Sequence, residues 1–203
     1  DGLEKATGRP VILANDANLA GLGEVWLGSA SQFSEVLFLT LGTGVGGAII
    51  HKGRLFTGAR GLAGELGHII FDPAGPECNC GSKGCLEQFI SATAIARRFG
   101  VEPAELGKRA AAGDPEALSA WEAVGRDLGY AVVALNNIFD PEAVVIGGGV
   151  SASCPFMFPA ALAEMKRRSI LPRPGFELLQ AKLGNDAGRV GAARLAFTFL
   201  AGC

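Results

Sequence analysis

Three cysteines within eight residues, Cys78, Cys80 and Cys85, leave a chain few ways to fold around them. Ten residues before Cys78 stands His68, one of only two histidines, so the stretch offers the ligand types of a closed tetrahedral Cys3His zinc site. A disulfide is the competing use of such thiols. Cys78 and Cys80 are one residue apart, however, and a bridge across so short a span is strained. His68 taken alone reads equally as an ordinary core histidine, because Ile69-Ile70-Phe71 after it predicts a buried strand. Its company favours zinc: three nearby thiols, and Gly81 and Gly84, which let a backbone turn tightly around an ion. Glu65 lies three residues before His68 and Glu87 two after Cys85. An ion clamping this loop would also fix two acids able to hold hydroxyl groups, a layout suited to a polyol.

The chain has 203 residues, enough for one large or two small domains that bury roughly 70% of the unfolded surface. Charged residues make up only 19% and the formal net charge is −2, so no basic face predicts nucleic acid and no acidic tail predicts disorder. Small-molecule chemistry fits this balance. The longest apolar runs, such as residues 131–135 and 143–146, fall far short of the roughly 20 residues that span a bilayer, which predicts no membrane segment. No secretory leader is visible and reduced thiolates suit a reducing compartment, so the expected location is cytoplasmic. The first residue is Asp1, and Gly2-Leu3-Glu4-Lys5 reads as if entered in mid-helix, which predicts a piece of something longer.

Hydrophobic periodicity predicts an α/β layout. Residues 11–14 read as a short strand, 16–27 as a helix, 36–41 and 46–50 as two strands, with Leu55-Phe56 continuing an antiparallel meander. Helices are expected at 86–99, 103–112 and 115–138, a strand at 143–146, a helix at 156–168, a strand at 176–181 and a last helix at 187–201. No repeat or low-complexity linker interrupts them.

Three further features sit at element boundaries. Asn15-Asp16 falls where a strand gives way to a helix, a place for a helix cap and equally for a general base acting on a substrate hydroxyl. Gly42-Thr43-Gly44, in the run Leu41 to Gly47, lies between two strands; it is neither a dinucleotide fingerprint nor a Walker loop, and reads as a hairpin turn whose amides could also cradle a phosphate. Gly147-Gly148-Gly149 follows a predicted parallel strand, where bare backbone admits a base or phosphate or simply turns tightly. Cys154 and Cys203 read as a buried small hydrophobe and a frayed terminus.

Taken together, the Asn15-Asp16 junction, Gly42-Thr43-Gly44, Gly64-Glu65-Leu66-Gly67-His68, the run from Cys78 to Glu87, and Gly147-Gly148-Gly149 resemble the sugar kinases and repressors of the ROK family (repressor, open reading frame, kinase). The Cys-x-Cys-Gly-x-x-Gly-Cys-x-Glu stretch is the most specific of these, and the resemblance covers essentially the whole chain. It implies a lobe of actin/hexokinase-like (ribonuclease H-like) fold, a mixed sheet flanked by helices and a zinc-bound loop. It implies structural zinc on His68, Cys78, Cys80 and Cys85, and a hexose held by Asn15, Asp16, Glu65, His68 and Glu87 with Asp16 as catalytic base. Gly42, Thr43 and Gly44 would meet the phosphates of ATP, which brings Mg²⁺, and Gly147, Gly148 and Gly149 the adenosine. Kinases of this family also carry a phosphate loop with an Asp and a Gly-Gly-Thr turn in an N-terminal domain. That loop is not present here, so residues 1–203 are expected to be the C-terminal lobe, with little turnover alone. The resemblance further implies a homo-oligomer, a dimer or tetramer. The activity expected is phosphorylation of glucose to glucose 6-phosphate. The alternative is the sugar-sensing domain of a ROK-type repressor, and a third reading is a bare zinc-stabilised scaffold.

Overall fold

The structure, a computed structural model, describes residues 2–170 and 174–200; Cys203 and the expected helix end at Ala201 lie outside them. In chain order the elements are α1 (Gly2–Thr7), α2 (Asp16–Leu27), β1 (Val36–Leu41), β2 (Val45–His51), β3 (Arg54–Leu55), a single 3-10 turn (Leu66–His68), α3 (Glu87–Ile90), α4 (Ala92–Phe99), α5 (Pro103–Ala111) and α6 (Pro115–Phe139). Then follow β4 (Ala143–Gly147), a 3-10 segment (Gly149–Ser153), α7 (Cys154–Arg168), β5 (Glu177–Gln180) and α8 (Ala187–Leu200).

The five strands form one mixed sheet in the order β3-β2-β1-β4-β5. The β1–β2 and β2–β3 pairs are antiparallel, whereas β4 runs parallel to both β1 and β5. Both faces of the sheet are covered, which is why β1 reads Val-Leu-Phe-Leu without polar alternation. Val36 and Phe38 pack with Ala48, Ile50 and Val145 on one face, while Leu37, Leu39 and Leu41 join Val144, Ile146, Trp121 and Leu128 on the other.

Helix α2 lies directly on the first of these faces because its glycines remove the side chains that would hold it off. A Cβ on Gly21 would lie 2.7 Å from Ala48 Cβ, and one on Gly23 would lie 2.3 Å from the Ala187 carbonyl oxygen of α8. α8 reciprocates through Gly191, whose missing Cβ would fall 1.7 Å from Leu19 O. On the opposite face α6 is started by Asp114, which accepts from Glu116 N and Ala117 N, with Pro115 preset at the first helical position.

Several sequence expectations give way here. Residues 11–14 form no strand: Leu13 is 98% exposed, and with no strand of the described residues alongside, the segment has no ladder to join. Residues 69–71 are not a buried strand either. Their backbone pairs with the returning cysteine loop (Leu86 N to Ile69 O at 3.0 Å, Phe71 N to Gly84 O at 2.8 Å), so Ile70 forms only an isolated bridge to Cys85. The helix expected over 86–99 is broken in two by Ser91, whose extended backbone ends α3 while its hydroxyl caps α4 by accepting from Ala94 N. α7 begins two residues earlier than expected, at Cys154, with Pro155 in its first turn. Among the described residues no helix is long and apolar enough to cross a membrane.

Candidate active site and metal centre

Five structural elements converge on one cleft of about 480 Å³ beside the β1–β2 turn. The N-terminus of α2 contributes Asn15, Asp16 and Asn18; the turn contributes Gly42 and Gly44; β2 contributes Val45, Gly46 and Gly47; and the segment before the 3-10 turn contributes Gly64 and Glu65. Glu87, the first residue of α3, closes the wall. Asn15, Asp16, Glu65 and Glu87 are therefore brought together although the first and last are 72 positions apart in the sequence.

Asn15 is the helix cap: its Oδ1 accepts from Asn18 N at 3.0 Å. Asp16 is therefore relieved of capping. One of its carboxylate oxygens takes only its neighbour's Ala17 N–H at 2.8 Å, and the side chain is exposed at the positive end of the helix dipole.

The glycines of β2 determine how closely the walls approach. A Cβ on Gly46 would lie 2.9 Å from Ala17 Cβ, and one on Gly47 would lie 2.5 Å from Gly64 O. At Gly44 the obstruction would be Glu87 itself, whose Oε2 lies 2.4 Å from where the Cβ would be. That same oxygen accepts from Val45 N at 3.0 Å, which orients the carboxylate along the cleft. Gly44→Ala is accordingly expected to leave the fold intact, because only the tip of a side chain must yield, yet to push Glu87 aside. Under the sugar-site expectation drawn from the resemblance, affinity for a hexose should then fall about tenfold by titration calorimetry, equivalent to about 1.4 kcal/mol; unchanged affinity would show that Glu87 need not stay where Val45 N holds it.

The β1–β2 turn is anchored through its carbonyls. Gly42 O accepts from Ala92 N at 2.7 Å and Thr43 O from Thr93 Oγ1 at 2.8 Å, so the break at Ser91 lets the start of α4 dock on the turn. The Thr43 and Gly44 N–H groups have no intramolecular partner among the described residues, and the turn thus presents donors outward. Gly147-Gly148-Gly149 lies at the same end of the sheet, because the parallel register sets Gly147 opposite Thr40, and Gly148 (φ 80°) packs against the backbone of Leu41. It lies outside the cleft wall formed by the acids, as do Thr43 and His68.

His68 belongs instead to the cysteine loop. Its Nδ1 is 3.7 Å from Cys78 Sγ, Cys80 Sγ is 3.6 Å from Cys85 Sγ, and the ligand atoms of all four residues lie within 4.8 Å of one another. Zn–S and Zn–N bonds of about 2.0–2.3 Å in a tetrahedron require ligand spacings of about 3.3–3.8 Å, so both the donor chemistry and the spacing fit zinc. The loop closes through Cys78 N to Ser82 O (2.8 Å) and Gly84 N to Pro76 O (2.8 Å). Gly84 is obligatory there, with φ 66° and a Cβ position only 1.5 Å from Asp72 O. Without an ion, burial pushes the Cys85 thiol up to about 12, while the Ser82 backbone N–H and the neighbouring sulfurs lower that of exposed Cys80. The link to the cleft is direct: Cys78 Sγ lies 3.6 Å from Glu87 Oε1, the other oxygen of the carboxylate that Val45 holds.

The family model that matches this chain is the ROK family, over residues 1–198. The chain belongs to the ROK family. A glucokinase of Halalkalibacterium halodurans is 41% identical over 96% of this chain, which spans 66% of that protein. An N-acetylmannosamine kinase of Escherichia coli is 35% identical over 96% of it, and 67% of that protein is spanned. Among solved structures, a ROK hexokinase from Thermus thermophilus superposes with a TM-score of 0.87 at 40% identity, covering 99% of this chain and 70% of that one. A ROK glucokinase from Streptomyces griseus, in complex with glucose and AMPPNP, gives 0.86 at 35% identity, with coverages of 95% and 70%. A ROK transcriptional regulator also gives 0.86, at 31% identity, with coverages of 94% and 52%. The ROK sheet with its helices is thus the actin/hexokinase-like fold expected from the motifs.

Two site residues of this ROK chain escape sequence reasoning. Asn18 is 7% exposed, lines the cleft, and has no bonded partner for its Oδ1 among the described residues; the spacing Asn15-x-x-Asn18 was its only signal. Glu24, at the other end of α2, is 1% exposed and holds that helix in place through bonds that sequence spacing does not reveal.

Proposed function

We propose that this chain is the C-terminal, sugar-holding lobe of an ATP-dependent hexose kinase, with glucose as its first candidate substrate. The observation that carries the reading is the single cleft in which an exposed, uncommitted Asp16 faces Glu65 and Glu87 next to a turn with free amides. In this assignment Asn15 donates from its amide NH₂ and Glu65 and Glu87 accept from ring hydroxyls, and His68 reaches a hydroxyl with the ring nitrogen that zinc leaves free. Asp16 takes the proton of the reacting hydroxyl as that oxygen bonds to the γ-phosphorus and the bond from phosphorus to the ADP oxygen breaks. The Thr43 and Gly44 amides face the phosphates, ATP entering as its magnesium complex, and Gly147 to Gly149 border the adenosine.

His68, Cys78, Cys80 and Cys85 would hold zinc, which in a fully protein-ligated site supplies rigidity rather than an open Lewis-acid position. Its removal tests that assignment. Elemental analysis should find about one zinc per chain, and chelation should weaken hexose binding about 10- to 100-fold, the effect typical of losing support around a site. Binding that survives chelation unchanged would remove zinc from the sugar site.

The functional test is direct titration of glucose and N-acetylmannosamine, followed by glucose-dependent ADP release. Hexose binding with release near background is expected of the lobe by itself, since closure over sugar and nucleotide completes such sites. Robust turnover would refute the lobe assignment, and no binding of any hexose would refute the function. The second reading, a sugar sensor of repressor type, is supported by the likeness to the ROK regulator. The kinase reading is favoured because a sensor has no use for Asp16 beside free turn amides. For the expected homo-oligomer, Phe197, Phe199 and Leu200 on α8 offer an exposed apolar face, and light scattering should give at least a dimer mass; a compact monomer would contradict it.

A further inference from the structure

The four side chains of the His68–cysteine cluster are unequally protected. Cys78 and Cys85 are buried at 6% and 0% exposure, whereas Cys80 is open to solvent. Their contacts differ too. All three sulfurs adjoin one another, but Cys78 Sγ is in addition held by His68 Nδ1 at 3.7 Å and Glu87 Oε1 at 3.6 Å, while Cys80 Sγ faces Cys85 Sγ at 3.6 Å. The segment joining these two sulfurs carries Gly81 and Gly84 in left-handed conformations, so it already has the tight backbone that a short bridged loop needs. A disulfide bond of about 2.05 Å is reached from this spacing by side-chain rotation with a small loop adjustment.

We propose that Cys80 and Cys85 are a peroxide-reactive thiol pair, Cys80 the attacking sulfur and Cys85 the resolving one, whose oxidation dismantles the metal site. The Cys80 sulfur attacks one oxygen of a hydroperoxide; the O–O bond breaks, Cys80 becomes a sulfenic acid and the other oxygen leaves, protonated, as water or alcohol. The Cys85 sulfur then attacks the Cys80 sulfur; the S–S bond forms, the S–O bond breaks, and the hydroxyl departs as water with the Cys85 proton. The two thiols together lose two protons and two electrons, which the hydroperoxide takes up. Cys78 is excluded as partner of Cys80 by the one-residue separation, and Cys154 lies apart, buried at the start of α7.

Bond formation depends only on the two sulfurs. Its consequence rests on the zinc and sugar assignments above: with half its ligands removed the ion is released, His68 and Cys78 lose their anchor, and Glu87 keeps only its Val45 contact to the cleft.

The test treats the intact chain with hydrogen peroxide and follows zinc release with a chromogenic chelator, while the tryptic map is read under non-reducing conditions. Trypsin cuts after Lys83, between the two cysteines, so a Cys80–Cys85 bond links two peptides that are otherwise separate. The expected result is release of zinc in step with that link, Cys78 still open to alkylation, and hexose affinity lowered about tenfold and restored by dithiothreitol with zinc. The variant Cys85→Ser should instead stop at a Cys80 sulfenic acid trapped by a dimedone probe. Unlinked peptides after excess peroxide, or a link through Cys78, overturn the pair. Metal analysis before peroxide reads the zinc assignment separately: a chain lacking zinc that still joins Cys80 to Cys85 removes that assignment and upholds the pair.

Discussion

Asp16→Asn is expected to lower phosphoryl transfer to hexose by a factor of about 10²–10⁴, the usual contribution of a positioned general base, while hexose binding stays within a few-fold. The structure makes this a clean substitution. Asn15, not Asp16, caps α2, and an asparagine oxygen can still take the Ala17 N–H that Asp16 Oδ1 accepts at 2.8 Å. What is lost is proton affinity and one negative charge at the helix N-terminus, and the latter costs only about 0.3–1 kcal/mol of stability. Because the lobe alone is expected to turn over slowly, the measurement is transfer of radiolabelled phosphate from ATP to glucose over hours, with calorimetric titration of glucose in parallel. Equal transfer by both proteins would remove Asp16 from the chemistry and leave the sensor or scaffold reading. A parallel collapse of sugar binding would make it a binding residue only.

The sequence and the folded chain inform on different parts of this site. The clustering of His68 with Cys78, Cys80 and Cys85 was legible because the three cysteines are close in the chain and His68 is within a short loop of them. β1 and β4 were legible because strands covered on both faces are continuous apolar runs. What was not legible depends on contacts between distant segments. Nothing local announces that Glu87 will bond Val45 N across 42 residues, or that Gly44 is glycine to make room for it. The helix over 86–99 was misread as continuous because its apolar spacing is helical throughout; Ser91 interrupts it because its hydroxyl caps α4 and Ala92 N turns to Gly42 O. Residues 11–14 have the composition of a strand, yet composition cannot supply a neighbour to pair with.

Glu24→Ala should destabilise the chain by about 2–4 kcal/mol, because three backbone N–H groups and one hydroxyl lose their acceptor together. At 1% exposure the Glu24 carboxylate gathers two segments: Oε1 accepts from Leu183 N at 2.7 Å and Lys182 N at 3.0 Å, and Oε2 from Ser29 N at 2.8 Å and Ser29 Oγ at 3.0 Å. Removing it leaves three partly buried backbone donors, Ser29 N, Lys182 N and Leu183 N, without their acceptor, each lost bond costing about 0.5–1.5 kcal/mol. Glu24→Gln is no conservative repair, since it turns one acceptor into an NH₂ group aimed at N–H donors. Nor is there slack for a rotated side chain, because a Cβ on Gly28 would already lie 2.0 Å from Oε2. Both variants should melt at lower temperature by calorimetry, alanine and glutamine alike; a glutamine variant as stable as the parent would mean that the carboxylate's second acceptor is not needed. The effect should reach the cleft as well. Glu24 fixes the far end of the helix whose first turn carries Asn15, Asp16 and Asn18, so a variant that still folds should bind hexose more weakly although the substituted residue does not line the cleft.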